Sequence, residues 1–501
     1  MSVTIVVWVV VICILLVKRP YRKGHNFYGP KSYPLLGCLI SFWKNQSRLC
    51  EWYTDLLRES PTQTITVQRV GAITTVVTAN PENVEHILKT RFDNYPKGKI
   101  FKAILHDLLG NGIFNADGVI WRMQRKIAGD EFNTKSLRNF IVDSVQTEIT
   151  ERLLPLLLQA CQKGSFVDLQ DVLRRFSFDN ICKVAFGMDP NCLDLSLRQS
   201  DFANAFDLAS HLSSKRALSL TSLEWRVKRA LNLGSERLLA DALRVVHDFA
   251  TEIIRGRSAE VNNLSPQDKP DLLSRFVALA KDDVLDEQYL RDIVVSFVLA
   301  GRDTTASALT WFFWLLSSHP KVEEAILKEI NDEYDSGLQD SYENMKGMQY
   351  LHAALCESMR LYPPVRYDSK YALEDDFLPD GTFVRKGSWV TYHPYAMGRM
   401  DSIWGADCME FDPDRWMEDG VFVPQSPFKF AVFQAGARIC LGREMAFIQM
   451  KYIAISVIRR FRLRVDPQHK ADSIPSLSAS MKNGLPVRVE RREASSSPPA
   501  L

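Results

Sequence analysis

One long apolar segment, from about Asp286 to Ser318, restricts the fold more than any other feature of the sequence. Asp286 is a typical N-cap residue and Pro320 cannot continue a helix, so the sequence predicts one helix of roughly 50 Å between them. Beyond Ile293 the segment is apolar on nearly every side, which is typical of a helix buried in a large protein. The chain has 501 residues, 46% of them hydrophobic, and is long enough to surround such a helix.

The centre of this predicted helix carries residues that a buried helix normally avoids. Residues 300–305 read AGRDTT. A glycine inside a helix costs about 1 kcal/mol, and a buried aspartate is costly unless its charge is satisfied. Asp303 and Thr304 are therefore candidate catalytic residues. The alternative is that the Thr304 hydroxyl only bonds back to its own helix.

Composition excludes several classes of function. The formal net charge is only +2, so the protein is not expected to bind nucleic acid, which would require a strong basic excess. The nine cysteines are scattered without any CxxC pair, which argues against a structural zinc site and fits a reducing compartment. A cysteine with a chemical role must therefore be identified from its neighbours.

The N-terminus is predicted to anchor the protein in a membrane. Residues 3–17 are almost wholly apolar, and the basic run 18–23 follows directly. A cleaved signal peptide is the alternative, but here the charge follows the apolar run and no small-residue cleavage site is present. Basic residues on this side of the anchor place the rest of the chain in the cytosol.

The remaining patterns predict a mainly α fold with a small β region. From about residue 134 to 360 the apolar residues recur mainly at helical spacing, and strand-like segments lie near 63–79 and 377–391. Asn483 and Gly484 form a typical hairpin turn, which predicts a C-terminal hairpin around 474–489.

A short segment near the C-terminus carries the strongest chemical signal, because residues 433–442 read FQAGARICLG. A thiolate that serves as a metal ligand needs backbone N–H donors and a dry setting, and the two glycines let the backbone approach closely. Phe433 can shield the sulfur of Cys440, and Arg438 can pair with a carboxylate. A helix predicted after Cys440 would direct its positive end at the thiolate. The alternative is a buried structural cysteine.

Further motifs precede this segment. Glu357 and Arg360 share one face of a predicted helix, and residues 411–416 (FDPDRW) contain Arg415. On its own, an ExxR pair is more often a surface ion pair. Residues 121–125 (WRMQR) form a WxxxR motif.

Taken together, these motifs resemble those of the cytochrome P-450 family, whose haem-binding loop FxxGxRxCxG is matched at all five fixed positions. Within the family the chain is most similar to the plant fatty-acid ω-hydroxylase clan, through segments 132–138, 178–182, 299–320, 395–400 and 433–451. The resemblance implies the cytochrome P-450 fold, a helix-rich domain with a small β region, plus one N-terminal transmembrane helix. It also implies a haem b group whose iron is bound by the Cys440 thiolate.

The resemblance assigns roles to particular residues. Those expected to contact the haem are Cys440, Phe433, Gly436, Arg438, Gly442, Trp121, Arg125 and Lys370. Glu357, Arg360 and Arg415 are expected to form one structural set. Asp303 and Thr304 match the acid–alcohol pair that delivers protons to bound oxygen.

The implied activity is a monooxygenase that inserts one oxygen atom of O2 into an unactivated C–H bond. The terminal (ω) carbon of a fatty acid or related lipid is the expected target, with sterol side chains and jasmonate–amino acid conjugates as alternatives. Electrons are expected from NADPH through NADPH–cytochrome P-450 reductase. A reductase-independent haem-thiolate isomerase or dehydratase, or a non-enzymatic haem protein, remains the alternative class.

The same resemblance predicts the domain organisation and location. We expect a transmembrane anchor at 1–18, a basic, Pro-rich connector at 19–37, a haem-thiolate catalytic domain at 38–490 and a disordered tail at 491–501. The protein is expected to be a single-pass protein of the endoplasmic reticulum membrane, in contact with membrane lipid, with its catalytic domain in the cytosol.

The substrate pocket for a hydrophobic small molecule is also implied by the resemblance. The residues expected to line it are Phe101, Phe114, Phe297, Ala300, Thr305, Val365 and Arg366, with a hairpin near 477–481. Arg366 departs from the clan, whose members usually carry a smaller or uncharged residue there. It could bind a substrate carboxylate, turn toward a haem propionate or pair with an acidic surface group.

Overall fold

The structure is a computed structural model, which describes residues 28–33, 36–69, 74–132, 135–194, 201–219, 222–261, 271–280, 286–335, 342–474 and 476–492. The predicted anchor at 1–18 lies outside the described residues, as do most of the predicted connector and most of the tail. Among the residues that are described, no helix combines the length and the apolar character needed to cross a bilayer.

Helices make up most of the described chain, as the sequence predicted. In chain order they are Leu39–Asn45, Leu49–Glu59, Pro81–Glu85, Gly98–Leu109, Gly118–Phe132, Lys135–Glu148, Leu154–Lys163, Leu169–Phe186, Asp201–Leu218, Ser222–Ala230, Ser235–Val261, Leu272–Ala280, Glu287–Val298, Thr304–Ser318, Pro320–Asp335, Tyr342–Gly347, Gln349–Leu361, Pro394–Met397, Asp401–Trp404 and Arg443–Arg460. Short 3-10 or π-helical turns are Gln46–Arg48, His86–Thr90, Phe92–Asn94, Ile149–Leu153, Leu299–Asp303, Pro413–Trp416, Ala431–Phe433 and Gly436–Arg438.

The β region is small. The strands are β1 Thr64–Gln68, β2 Thr74–Thr78, β3 Phe166–Asp168, β4 Asp368–Tyr371, β5 Asp376–Phe377, β6 Phe383–Val384, β7 Trp389–Tyr392, β8 Met417–Glu418, β9 Val421–Phe422, β10 Phe461–Val465 and β11 Pro486–Arg491. The largest sheet has the order β1-β2-β7-β4, in which only β2 and β7 are parallel, with Val76 opposite Val390. A second sheet has the antiparallel order β10-β11-β3, and the remaining two sheets are the pairs β5-β6 and β8-β9.

The predicted C-terminal hairpin around 474–489 is wrong in its pairing. Asn483 and Gly484 do form a turn, with φ of 63° and 72°. Of the described residues before this turn, Ser473 and Met481 form an isolated bridge, whereas β11 after the turn pairs with β10 and β3. Strand pairing over such sequence separations depends on tertiary packing, which a local turn signal does not report.

The predicted central helix is present and runs through the interior. Helix Glu287–Val298, the π-helical turn Leu299–Asp303 and helix Thr304–Ser318 follow one another without a break, and we call them together the central helix. The Asp286 carboxylate caps its start by accepting the Tyr289 N–H at 2.7 Å. A Cβ at Gly301 would lie 2.6 Å from Ile181 Cγ1, so the glycine permits close packing between two helices.

Two hydrophobic cores meet at the segment that carries Cys440. The larger core surrounds the central helix, and the smaller one packs helix Leu49–Glu59 against the four-stranded sheet. Ala431 and Ala435 belong to the smaller core, whereas Phe433 and Leu441 pack against the larger one. The segment therefore lies at the boundary between the two cores.

Candidate active site

The backbone around Cys440 is a tight loop between two 3-10 turns and a long helix. The Cys440 N–H donates to the Phe433 carbonyl oxygen at 2.8 Å, which closes the loop. Gly436 has φ of 62°, and a Cβ there would collide with the Leu88 carbonyl oxygen, so only glycine fits. Helix Arg443–Arg460 begins directly after Gly442, and its N-terminal end is thus close to the thiol.

The Cys440 thiol faces a space inside the molecule. The residue is exposed, yet burial is the main influence on its thiol and raises its pKa. The N–H of Gly442 and the charges of Arg125 and Arg443 oppose this by lowering the pKa. An accessible side chain in a desolvated setting must border an internal cavity. The Cys440 side chain is therefore positioned to act as a ligand to a bound group.

Positively charged side chains outnumber carboxylates beside this loop. The cations are Lys97, Lys102, Arg125, Lys370 and Arg438, and the carboxylates are Asp117 and Asp368. Asp368 accepts from Lys97 at 2.5 Å and from Lys370 at 2.8 Å, and Asp117 accepts from Arg438 at 2.8 Å. In the described part of the chain, Arg438 Nε is buried without a hydrogen-bond partner.

This charge distribution fits haem, whose two propionates are anionic. A buried donor without a partner and an excess of cations both favour a bound anion. Arg438 Cζ lies 4.4 Å from the centre of the Trp121 ring, so two of the predicted haem contacts are adjacent. Burial lowers the pKa of Lys370 to about 7. A further carboxylate close to Lys370 would raise this pKa again, because it would stabilise the charged form. Trp121, Lys370 and Arg438, three of the predicted haem contacts, thus lie close together beside the Cys440 loop.

Sequence reasoning missed four members of this cluster, namely Lys97, Lys102, Asp117 and Asp368. The Lys97–Asp368 contact joins residues 271 positions apart, and no local pattern marks either of them. The local signal that was available is an acid and a base two residues apart, Asp368 and Lys370, in what became strand β4, because charged residues are rarely buried unless they are paired.

The candidate catalytic pair lies where the π-helical turn of the central helix ends, with Asp303 as the last residue of the turn and Thr304 as the first residue of the following helix. Asp303 is buried and accepts a hydrogen bond from Arg302 Nη1 at 2.8 Å. The same Arg302 nitrogen donates to Asp207 at 2.6 Å, a contact that the sequence did not predict. Burial raises the pKa of Asp303, and the Arg302 charge opposes this effect. A π-helical turn widens a helix locally and is frequent at functional sites.

Thr304 combines both of the alternatives that the sequence left open. Its hydroxyl donates to the Ala300 carbonyl oxygen at 2.6 Å, which is the back-bonding expected of a structural threonine. The side chain is nevertheless half-buried rather than enclosed, and the hydroxyl oxygen keeps its lone pairs. It can therefore still accept a hydrogen bond from a group bound beside the helix.

One helix links the Cys440 loop to the central helix. In helix Gly118–Phe132, Arg125 is close enough to Cys440 to lower the pKa of its thiol. Phe132, at the end of the same helix, stacks on Phe297 of the central helix with ring centres 6.2 Å apart. The thiol and the central helix thus border one region of the interior.

The predicted structural set forms a buried network. Glu357 accepts from Arg360 Nε and Nη2, both at 2.7 Å, and from Arg415 Nε at 3.3 Å. The indole N–H of Trp416 and the backbone N–H of Asp412 donate to the same carboxylate at 2.9 and 3.1 Å. Because the Glu357 and Arg360 side chains are completely buried, loss of Glu357 would leave Arg360 as a buried charge without its carboxylate partner.

The predicted pocket residues differ in their exposure. Phe297 and Thr305 are buried, Phe114 is exposed, and four are half-buried: Phe101, Ala300, Val365 and Arg366. The predicted segment 477–481 lies against the central helix, since the Ala479 carbonyl oxygen accepts from Ser307 Oγ at 3.0 Å and Trp311 Nε1 at 2.7 Å. The Ala479 N–H in turn donates to Pro364 at 2.8 Å.

A helix-rich fold with a thiol loop beside a cluster of buried cations is typical of a haem-thiolate protein. The sequence profile of the family described as Cytochrome P-450 matches residues 28–490, so the chain belongs to this family and is a haem-thiolate monooxygenase. It is 50% identical over 473 residues to cytochrome P-450 94B1 of Arabidopsis thaliana, covering 93% of this chain and 92% of that protein. It is 52% identical over 463 residues to cytochrome P-450 94C1 of the same plant, with 91% and 92% covered.

Two further comparisons agree with this membership. Cytochrome P-450 94A1 of Vicia sativa is 46% identical over 474 residues, covering 93% of this chain and 91% of that protein. The crystal structure of the cytochrome P-450DA heme domain superposes with a TM-score of 0.76, covering 94% of this chain and 99% of that one. Because the two sequences are only 20% identical, this structural similarity shows the fold alone.

Proposed function

We propose that this protein hydroxylates the terminal carbon of an aliphatic chain in a fatty acid or related lipid, using O2 and electrons from NADPH delivered by cytochrome P-450 reductase. The observation that carries the proposal is the Cys440 thiol, which faces an internal space beside an excess of cations. The sequence likeness to the ω-hydroxylase clan supports the terminal position. The chain is also 46–52% identical to three proteins that share the 94 designation.

The roles of the chain's own groups follow from their positions. A haem ligated by Cys440 would supply the oxidising chemistry. Arg125, Lys370 and Arg438 would hold its carboxylates, and Phe433 would cover the sulfur. These contacts orient the group and keep water away from the thiolate.

Protons are proposed to reach the site through the central helix. Asp207 is 30% exposed, and Arg302 bridges it to the buried Asp303. Asp303 can take up a proton when Arg302 shifts toward Asp207, because burial already raises the pKa of Asp303. The Thr304 hydroxyl, once released from the Ala300 carbonyl oxygen, would present a proton donor to a group bound beside the central helix.

Attack at a terminal methyl requires a narrow passage, because methyl C–H bonds are stronger than those of the neighbouring methylene groups. Aromatic and branched side chains at Phe101, Phe297 and Val365 are proposed to form this restriction. Sterol side chains and jasmonate–amino acid conjugates also end in branched or linear alkyl groups, and remain alternative substrates. An isomerase or dehydratase is less well supported, because such relatives usually lack the acid–alcohol pair that is present as Asp303 and Thr304.

We further propose that the protein resides in the endoplasmic reticulum membrane with the catalytic domain in the cytosol. The apolar run 3–17 followed by basic residues supports this. Exposed apolar residues on and after helix Ser222–Ala230 also support this location. They alternate with the basic residues Arg226, Lys228 and Arg229, a pattern that is typical of helices lying on a lipid surface. The exposed apolar residues are Leu223, Val227, Leu231, Leu233 and Leu238.

The proposal is tested by expressing the full chain with its reductase in microsomes. The reduced protein under carbon monoxide should show the absorption band for which the family is named, and Cys440→Ala should abolish it. Fatty acids, a jasmonoyl-amino acid and a hydroxysterol are then offered with NADPH, and the products are read by mass spectrometry. Products hydroxylated only within the chain, or turnover that needs no NADPH, would refute terminal monooxygenation.

A further inference from the structure

Four charged side chains on three helices form one chain of contacts beside the candidate acid. Asp207, on helix Asp201–Leu218, forms ion pairs with two arginines. Its Oδ1 accepts from Arg302 Nη1 at 2.6 Å, and its Oδ2 accepts from Arg174 Nη1 at 3.2 Å. Arg302 Nη1 also donates to Asp303 Oδ1 at 2.8 Å. Because two carboxylates share two guanidinium groups, a shift of one arginine changes what each carboxylate holds.

Arg174 extends this chain of contacts to the segment that was predicted to line the substrate pocket. Its Nη2 donates to Ser480 Oγ at 2.7 Å, and Ser480 is buried. Ser480 belongs to segment 477–481, which lies against the central helix. A guanidinium carries several N–H donors in one plane, so Arg174 can bind Ser480 and Asp207 at the same time. The contacts therefore continue from the pocket segment to Asp303.

Helix Leu169–Phe186 fixes the place at which Arg174 meets the segment. Gln170 and Arg174 are four residues apart and share one face of this helix. Gln170 Nε2 donates to the Met481 carbonyl oxygen at 3.0 Å, and its Oε1 accepts the Met481 N–H at 2.8 Å. Two consecutive residues of the segment, Ser480 and Met481, are thus bound by one helix face.

The Ser480 hydroxyl limits how closely Arg174 can pair with Asp207. A carboxylate holds a guanidinium most strongly when both of its oxygens accept parallel N–H donors. In the structure each oxygen of Asp207 accepts from a different arginine, and Ser480 occupies one donor group of Arg174. Without Ser480, Arg174 could direct two donors at Asp207 and displace Arg302. Arg302 would then stay on Asp303, which would keep its negative charge.

We propose that Arg174 is a positioning residue that makes proton uptake at Asp303 depend on the place of segment 477–481. This inference rests on the proposed function and adds a control to its proton route. With Ser480 in place, Arg174 leaves one oxygen of Asp207 to Arg302, and Asp303 can take up a proton. When the segment moves away, Arg174 closes on Asp207 and the route is shut. Proton delivery is thereby restricted to the state in which the pocket wall is formed.

The charges that face Asp303 define the sign of each effect. Burial raises the pKa of the Asp303 carboxyl, and Arg302 opposes this. Asp207 acts in the same direction as burial, and Arg174 acts in the same direction as Arg302. Asp171, on the same helix as Arg174, faces Arg302. Arg174→Gln removes a cation and leaves Asp207 less neutralised, so the pKa of Asp303 should rise.

The test follows the protonation of Asp303 in the full-length holoenzyme. The infrared absorption of protonated carboxyl groups is recorded as the pH is varied, and the Asp303 contribution is identified by its loss in Asp303→Asn. The variants are Arg174→Gln, Ser480→Ala and the combination of the two. Arg464→Gln serves as a matched control, because Arg464 forms a comparable ion pair with Glu490, at 3.4 Å, between strands β10 and β11.

The two single variants should shift the pH midpoint of Asp303 protonation in opposite directions. Arg174→Gln should raise the midpoint by about one pH unit, the size expected for one nearby charge. Ser480→Ala should lower it and should reduce the product formed per NADPH consumed. The double variant should match Arg174→Gln, because Ser480 acts through Arg174. Arg464→Gln should match the wild type in both measurements.

A midpoint in Ser480→Ala equal to that of the wild type would overturn the inference. So would effects of the two substitutions that simply add in the double variant. The carbon monoxide band shows whether the haem site of each variant is intact.

If Arg174→Gln lacked this band, Arg174→Lys replaces it. One ammonium group cannot span Ser480 and Asp207 as the guanidinium does, so adding Ser480→Ala to Arg174→Lys should have no further effect. If the wild type oxidised no substrate at a terminal carbon, the proposed function would fail. The infrared midpoints would still decide the role of Arg174, because they are measured without turnover.

Discussion

At the scale of single residues, the chemistry depends on groups that the fold holds in a particular hydrogen-bonding state. Thr304 donates to Ala300 in the structure, so its proton becomes available only when that bond is released. Asp303 shares Arg302 with Asp207, which couples a buried carboxylate to one that is 30% exposed. The acid–alcohol pair was evident from the sequence, but the Asp207 contact was not, because it bridges 95 residues.

Replacing Thr304 by alanine should separate electron consumption from product formation. The hydroxyl is lost while the haem-contact residues are untouched, so the carbon monoxide band should persist. Product formed per NADPH consumed should fall by about 10²-fold, the lower range of general acid catalysis, with hydrogen peroxide released instead. Thr304→Ser retains the hydroxyl and should stay near the wild type. Unchanged coupling in Thr304→Ala would mean that the hydroxyl only bonds to its own helix.

At the scale of elements, the interrupted centre of the central helix serves two purposes. The π-helical turn Leu299–Asp303 carries the candidate acid, and Gly301 within it lets helix Leu169–Phe186 approach closely through Ile181. The sequence correctly indicated that a glycine there is costly and therefore meaningful. Its packing role became clear only from the neighbouring helix, which is more than 100 residues away in the chain.

Gly301→Ala should destabilise the protein by about 1–3 kcal/mol, because the added methyl group would lie 2.6 Å from Ile181 Cγ1. The free energy of unfolding in urea measures this directly. Gly256→Ala is the control, since a Cβ there meets nothing within 4 Å and helix Ser235–Val261 should gain up to about 1 kcal/mol. If the two substitutions had the same effect, close packing at Gly301 would not be the cause.

At the scale of the whole molecule, buried charges between elements make stability depend on pH. Lys451 is buried in helix Arg443–Arg460 and donates to the carbonyl oxygens of Met345 and Met348 at 3.0 and 2.9 Å. Burial lowers the pKa of Lys451 from 10.5 to about 8. Lys451 therefore connects helix Arg443–Arg460 by hydrogen bonds to the segment before helix Gln349–Leu361. Burial of its ammonium group opposes this stabilisation, because the charge loses its hydration.

The sign of the resulting pH effect is defined by the lowered pKa of Lys451. Between about pH 8 and 10.5 the folded protein has released this proton while the unfolded chain still holds it, so the free energy of unfolding rises with pH. Relative to Lys451→Met, the wild type should gain up to about 3 kcal/mol across that window. Urea unfolding of both proteins at pH 7.5 and about pH 10 measures the change. A constant difference between them would contradict the shifted pKa.

Features whose signal is local could be predicted from the sequence. The central helix, its Asp286 cap and the loop around Cys440 were all predicted, because apolar periodicity, capping and turn chemistry act within a few residues. Tertiary structure alone decided the partners: β11 pairs with β10 and β3 rather than within the predicted hairpin. It also brought Lys97 to Asp368. These outcomes depend on contacts between segments far apart in the chain, which local patterns do not encode.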